Sequence, residues 1–120
     1  SIVSVDEMHF TNVIYNLLEN AVKYRKEDEA PILKVSTANP DDSHLQITVE
    51  DNGIGIKKED LKRIFERFYR VNTGNRHDVK GFGLGLAYVY KITHDLHGSI
   101  VAESDYGKGS RFIITLPIIK

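Results

Sequence analysis

Apolar positions recur with two different periods along this chain. From Asp6 to about Tyr24 they fall three or four apart, and at about 100° per residue Phe10, Val13, Ile14, Leu17, Ala21 and Tyr24 share one arc of a helix. Asp6 suits the N-cap of that helix and Glu7 its first turn. Leu33 to Thr37 and Leu45 to Glu50 alternate instead, as half-buried strands do, and Asn39-Pro40-Asp41-Asp42 between them predicts a hairpin. A shorter helix is predicted over Lys57 to Phe68, with Leu61, Ile64, Phe65 and Phe68 inward. A third follows Gly85, with Gly98 after His97 as its C′ stop. Strands at Ile2 to Val5, Ser99 to Glu103 and Arg111 to Leu116 complete the pattern. Elements in this order predict an α+β fold, a two-layer α/β sandwich whose mixed, about five-stranded sheet carries three helices on one face.

Composition narrows the class. A chain of 120 residues with 41% hydrophobic content suits a single globular domain with a modest core, spanning residues 1–120. A formal charge of −1 argues against a nucleic-acid partner, which calls for a basic excess. No stretch approaches the roughly 20 apolar residues that span a bilayer, and the domain is expected to make no direct membrane contact. The first residues, Ser1 to Val5, lack the basic start and apolar run of a signal peptide. The absence of cysteine removes disulfides and thiolate-metal sites and suits a reducing cytosol.

Three segments carry candidate chemistry. In the first, alternation points Leu45, Ile47, Val49 and Asp51 the same way, so a carboxylate ends a row of core-facing apolar residues. A buried charge is costly unless hydrogen bonds are donated to it. Asp51-Asn52-Gly53 then either terminates a strand or places Asp51 to accept from an exocyclic amine such as that of adenine, over a turn formed by Gly53 and Gly55. In the second, Asn16, Asn20 and Lys23 line the edge of the first helix's apolar face. That stripe is either a solvated helix edge or a ligand set, with Asn20 offering a neutral oxygen to Mg²⁺ and Lys23 a point cation to phosphate. In the third, Gly81-Phe82-Gly83-Leu84-Gly85-Leu86 precedes a helical run, either as a flexible turn or as a phosphate cradle at a helix start. Between Arg70 and Gly81 the chain has little apolar content and no period, which predicts a loop.

Together the segments Asn16-x-x-x-Asn20-Ala21-x-Lys23-Tyr24, Asp51-x-Gly53-x-Gly55, Ile64-Phe65-Glu66-Arg67-Phe68-Tyr69-Arg70 and Gly81-x-Gly83-Leu84-Gly85-Leu86 resemble the ATP-binding catalytic domain of sensor histidine kinases. They stand in the order of that family's N, G1, F and G2 boxes, and Gly107 to Pro117 is similar to its closing element. The resemblance implies the Bergerat-type sandwich of the GHKL superfamily, with ATP and Mg²⁺ as ligands. It implies that Asp51 reads the adenine amine, that Tyr24 and Ile56 line the base pocket and that Ser110 bridges through water. By the same resemblance Asn20 would hold Mg²⁺ with Asn16 beside it, Lys23 and Arg70 would meet phosphate, and residues 71–80 would form a lid over the nucleotide. Phe82 stands where the family usually shows a small residue.

Position 16 bears on the reaction. Related ATPases of the superfamily, the gyrase, chaperone and mismatch-repair types, typically carry there a Glu that activates water. Asn16 is a neutral amide and no general base. Glu19 lies about 60° off the Asn16–Asn20–Lys23 stripe and does not replace it. The resemblance therefore implies transfer of the γ-phosphate to a histidine, with a nucleotide-binding pseudokinase or a GHKL ATPase as the rivals. No segment here matches the family's phosphoacceptor, and His77, His94 and His97 are read as surface residues. The expected partners are ATP and ADP, the parent kinase's dimerisation domain and a response-regulator receiver domain, with the domain on the cytoplasmic side of a membrane-anchored parent. The chain itself is expected to behave as a soluble, mostly monomeric fragment.

Overall fold

The computed structural model describes residues 7–66 and 85–118. Within them run α1 (Glu7–Lys23), β1 (Leu33–Asp41), β2 (His44–Asp51), α2 (Lys58–Leu61), α3 (Gly85–Asp95), β3 (Ser99–Asp105) and β4 (Gly109–Pro117). The strands lie in the order β1-β2-β4-β3, and every neighbouring pair is antiparallel. Both hairpins are antiparallel by connection and β2 meets β4 in the same sense, so the described strands contain no parallel pair. The α+β sandwich is as the sequence predicts, but its described sheet is four-stranded and antiparallel rather than mixed and about five-stranded. The strand expected at Ile2–Val5, the Asp6 cap and Phe68 lie outside the described residues.

Alternation along the strands divides the sheet into two unlike faces. On one, Ile47, Ile114 and Ile100 form a cross-strand row, and Val49, Phe112 and Ala102 form the next. Helices α1 and α3 close over these rows with Val13, Leu17, Val89 and Ile92, in one continuous core. The predicted α1 arc is the buried one, since Val13, Leu17 and Ala21 are all enclosed. On the opposite face, Lys34, Glu50, Arg111 and Glu103 stand in register across all four strands with alternating charge. Arg111 bridges Glu50 at 3.1 Å and Glu103 at 3.3 Å. Such exposed pairs add at most about 1 kcal/mol each and serve chiefly to keep this face wet.

Three local departures have physical causes. The first hairpin turns at Asp42-Ser43, later than Asn39-Pro40-Asp41-Asp42, because the Ser43 N–H donates to the Asp41 carboxylate at 2.7 Å and closes a tighter turn. Pro40 is absorbed into β1, the edge of the described sheet, where the register slips between Ala38 and Asp41. Helix α2 is one turn long rather than reaching Phe68. After it the bonding switches to three-residue spacing, Arg63 N–H to Asp60 and Glu66 N–H to Arg63, which still turns Ile64 inward beside Leu61. Helix α3 ends with His97, not Gly98, in the left-handed conformation at φ 64°. The His97 N–H returns to His94 and the Gly98 N–H to Thr93, the bond pair of a Schellman motif with His97 at C′.

Phe112 is almost fully enclosed and takes the ring of Phe65 edge-on at 6.5 Å. Phe112→Ala should therefore cost about 3–5 kcal/mol in urea unfolding, against about 1 kcal/mol or less for an exposed aromatic such as Tyr106. His97→Gly should gain about 0.5–1 kcal/mol in the same assay by relieving the left-handed backbone. A loss would mean that the imidazole contributes contacts beyond its backbone role.

Candidate functional site

The loop after β2 is pinned from two sides. The Ile54 N–H donates to the carbonyl of Tyr24 at the end of α1 at 2.9 Å, and the Gly107 N–H of the β3–β4 turn donates to the Ile54 carbonyl at 2.6 Å. Gly53 passes so near α1 that a Cβ there would lie 2.5 Å from the Tyr24 carbonyl oxygen, which only glycine permits. Gly55, at φ 79°, faces the Asp105 carbonyl as closely. The two glycines predicted to shape a pocket are thus required by close backbone approach, and they bring α1, β2 and the β3–β4 turn to one place.

Asp51 stands at the end of the core-facing row, half-buried, opposite Ser110 of β4. The Gly53 N–H donates to its carboxylate at 2.8 Å. Burial pushes the Asp51 carboxyl above its ordinary range, and the donated N–H groups of Gly53 and Ser110 draw it part of the way back. An acceptor held in this way beside a groove suits a ligand that brings N–H groups of its own. The Asn52 side chain turns away to hold the α1–β1 connection, donating to the Ala30 carbonyl at 3.1 Å and accepting from the Ile32 N–H at 2.7 Å. Ile56 lies half-buried against the core and Tyr24 half-buried at the end of α1. An open cavity of about 340 Å³ is lined by Asp51, Ser104, Gly109 and Ser110 on this side. It continues round the end of the sheet to Glu50, Glu103 and Arg111 on the opposite face, so its volume overstates any one ligand site.

The α1 stripe approaches the start of α3. The Asn16 amide oxygen lies beside Gly85, 3.2 Å from where a Cβ would be, while its NH₂ donates to the Asn12 carbonyl at 2.7 Å. Gly85 opens α3 and Leu86 packs on the core, so Asn16 and the start of the glycine-led helix stand side by side. Asn16 and Asn20 are half-buried, and Lys23 is exposed and paired with Glu19 at 3.2 Å. Hydrogen bonds from Lys23 and Tyr15, with the ammonium charge, hold the Glu19 carboxyl below its ordinary range. That lowers its basicity and leaves it a poor substitute for a general base. Arg70, Gly81, Gly83, Leu84, Phe82, His77 and the loop 71–80 lie outside the described residues.

Among the described residues no group of three His, Cys, Asp or Glu can hold a metal ion. A cation here must rely on neutral oxygen and on its ligand's own charge, a donor set that Mg²⁺ accepts from an amide and phosphates. The Asn20 side chain fits that requirement. Among the described residues no helix is long and apolar enough to cross a membrane. Sequence reasoning missed Ser104 and Asn52. The one sequence signal for Ser104 is its period-2 phase with Ser110 in the second hairpin, and the sequence marks Asn52 only as a turn residue.

A carboxylate that accepts from the Gly53 and Ser110 N–H groups, with the Asn16 amide of a neighbouring helix beside a glycine-led helix start, suits an ATPase module of the nucleotide-binding kind. Over residues 5–120 the sequence matches the family described as histidine kinase-, DNA gyrase B-, and HSP90-like ATPase, and the chain belongs to that family. Sensor protein RprX of Bacteroides fragilis (strain YCH46) is 59% identical over 119 residues, which are 99% of this chain and 23% of that protein. Sensor histidine kinase WalK of Bacillus subtilis (strain 168) is 37% identical over 115 residues, 96% of this chain and 19% of that one. The chain thus spans under a quarter of the length of these relatives. The solved structure of the mycobacterial sensor histidine kinase MprB superposes with a TM-score of 0.82 at 26% identity, covering 96% of this chain and 74% of that one. Full-length ShkA in complex with AMPPNP gives 0.78 at 27% identity, covering 96% and 22%.

The raised carboxyl of Asp51 makes a pH prediction. Its folded pKa stands above the unfolded value, so the native state binds the proton more readily and loses stability as pH rises through the folded pKa. Asp51→Asn removes that titration. In urea unfolding of the ligand-free domain the variant should be the more stable at neutral pH. Its advantage should shrink as pH falls from the raised native pKa toward the ordinary carboxylate value, and an advantage independent of pH would rule out this cause.

Proposed function

We propose that this domain binds ATP with Mg²⁺ and passes the γ-phosphoryl group to a histidine of the dimerisation domain of its parent two-component sensor kinase, for relay to a response-regulator aspartate. Asp51 accepts from the adenine amine, Tyr24 and Ile56 line the base pocket, and Ser110 reaches the base edge through water. Gly53 and Gly55 keep the pocket floor at backbone height. Asn20, with Asn16 beside it, would hold the metal, which would supply positive charge against the phosphates. Lys23 leaves Glu19 for the phosphates. By the family resemblance, Arg70 serves the γ-phosphate, and Gly81, Gly83, Leu84, Gly85 and Leu86 serve the phosphate chain. The domain is assigned to the cytoplasmic side of its parent, where ATP is supplied.

The transfer balances simply. The bond between the γ-phosphorus and the β–γ bridging oxygen breaks, ADP departs with that electron pair, and the lone pair of an imidazole nitrogen forms the new P–N bond. The observation that carries a kinase over a hydrolase is Asn16. Its oxygen lies beside Gly85 where a water-activating carboxylate would have to stand, and its NH₂ is committed to Asn12. A neutral amide does not deprotonate water, so the γ-phosphoryl group is kept for another nucleophile.

Calorimetric titration with ATP, with and without Mg²⁺, tests the site. Asp51→Asn should weaken binding about 10- to 150-fold, the worth of a hydrogen bond to a charged group. Asn20→Ala should bind with little dependence on Mg²⁺. When the chain is mixed with the phosphoacceptor domain of its parent, label from γ-³²P-ATP should appear on histidine. Multiple-turnover phosphate release by the chain alone would instead mark a hydrolase, and tight binding without transfer a regulatory module.

A further inference from the structure

Asn52 and Gly53 form the one Asn-Gly pair in the sequence, and the fold requires each residue for a separate reason. Glycine is needed at 53 because a Cβ there would lie 2.5 Å from the Tyr24 carbonyl oxygen. Asparagine at 52 ties down the α1–β1 connection, donating to the Ala30 carbonyl at 3.1 Å and accepting from the Ile32 N–H at 2.7 Å. That pair of bonds needs a donor and an acceptor on one short side chain, which an amide has and a carboxylate lacks. The same pair of residues is chemically labile. Asparagine is among the heat-sensitive residues. A following glycine sets no side chain in the way of its own backbone nitrogen, the atom that attacks the asparagine side-chain carbonyl.

We propose that Asn52-Gly53 is a spontaneous deamidation site, held shut by the α1–β1 connection, whose conversion disables the nucleotide pocket. In the reaction the Gly53 nitrogen forms a bond to Asn52 Cγ, the Cγ–Nδ2 bond breaks, and Nδ2 leaves as ammonia with the proton that Gly53 gives up. Water then opens the cyclic imide at one of its two carbonyls, giving aspartate from one and isoaspartate from the other. Nothing is oxidised or reduced, and water is the only co-reactant. The ring closes only when the side chain swings onto the Gly53 nitrogen. Both ends of that side chain are held by residues 30 and 32, and the Gly53 N–H is itself held by the Asp51 carboxylate at 2.8 Å. Closure therefore waits on local opening of the loop. Either product damages the clamp. Ionised aspartate has no proton for the Ala30 carbonyl, and isoaspartate adds a methylene to the backbone just before Gly53, where the passage beside Tyr24 leaves no slack. Loss of the pocket rests on the nucleotide reading above, whereas the latch rests on geometry alone.

Conversion is read by mass spectrometry with peptide mapping on the 120-residue chain, held in mildly alkaline buffer with and without guanidinium chloride. The folded chain should convert at Asn52 about 10- to 100-fold more slowly than the denatured chain, roughly what its two side-chain hydrogen bonds are worth. Ile32→Pro removes one of the two donors just ahead of the first β1 ladder pair, at Leu33. It should speed conversion of the folded chain about three- to tenfold and leave the denatured rate unchanged. Absence of conversion in the denatured chain overturns the site. Equal rates in folded and denatured wild type, or no acceleration in Ile32→Pro, overturn the latch. Should Ile32→Pro not fold, wild type in sub-denaturing urea decides: a local latch gives a rate nearly flat before the unfolding transition, and a rate that climbs with the full slope of global unfolding overturns it. Isoaspartyl chain, separated by ion exchange, should bind ATP at least about tenfold more weakly than fresh chain in calorimetry, and equal binding overturns the claim that conversion disables the pocket. Fresh chain that binds no ATP would overturn the nucleotide reading, while the conversion rates still judge the latch.

Discussion

The close passage of the Asp51–Ile56 loop beneath the last carbonyls of α1 is the constraint on which the site depends. One hydrogen bond, from the Ile54 N–H to Tyr24, joins a helix end to a strand end, and glycine at position 53 allows the two backbones that near. The helix then cannot slide along the sheet without breaking that bond, so the stripe Asn16–Asn20–Lys23 is held at a fixed height above Asp51. On the other side, the bond from Gly107 to Ile54 ties in the β3–β4 turn and with it Ser104 and Ser110. Three elements that supply side chains to the site are located by two backbone contacts.

Around that clamp, stability and function pull in opposite directions. The sheet buries Ile47, Val49, Phe112 and Ile114 in consecutive rows, and the next position along β2, where another aliphatic residue would extend the core, is Asp51. Its carboxylate is half-desolvated and receives backbone N–H groups that offset only part of the cost, as its raised pKa reflects. A half-desolvated carboxylate persists where binding needs it, because a ligand that donates to it offsets part of that cost on association. The same logic does not extend to Glu19 or Arg111, whose ion pairs are exposed and contribute little either way.

How much of this was legible in the chain depends on whether the cause was local. Val13, Leu17 and Ala21 announce the buried face of α1 because a period of 3.6 residues admits one packing direction. Alternation alone put Asp51 on the core-facing side of β2. The turn of the first hairpin was not legible, because Asn39-Pro40 is as good a turn composition as the Asp41 carboxylate capping Ser43 that won. The length of α2 was not legible either, since Leu61, Ile64 and Phe65 satisfy three-residue and four-residue spacing alike. Glycine is the stronger local candidate for a left-handed residue, which points to Gly98, and only the bonds back to Thr93 and His94 assign that role to His97. Ser104 and Asn52 act through register and loop contacts distant in sequence, which no local pattern encodes.

The central claim is that Asp51 recognises the exocyclic amine of adenine, and the most direct measurement changes the ligand rather than the protein. Purine riboside triphosphate differs from ATP only in lacking that amine. Calorimetric titration of the wild-type chain with both should show the analogue binding at least about tenfold more weakly, the loss of one hydrogen bond to a charged acceptor. Asp51→Asn should bring the two ligands close together. Equal affinity of the wild-type chain for ATP and the analogue would contradict the account.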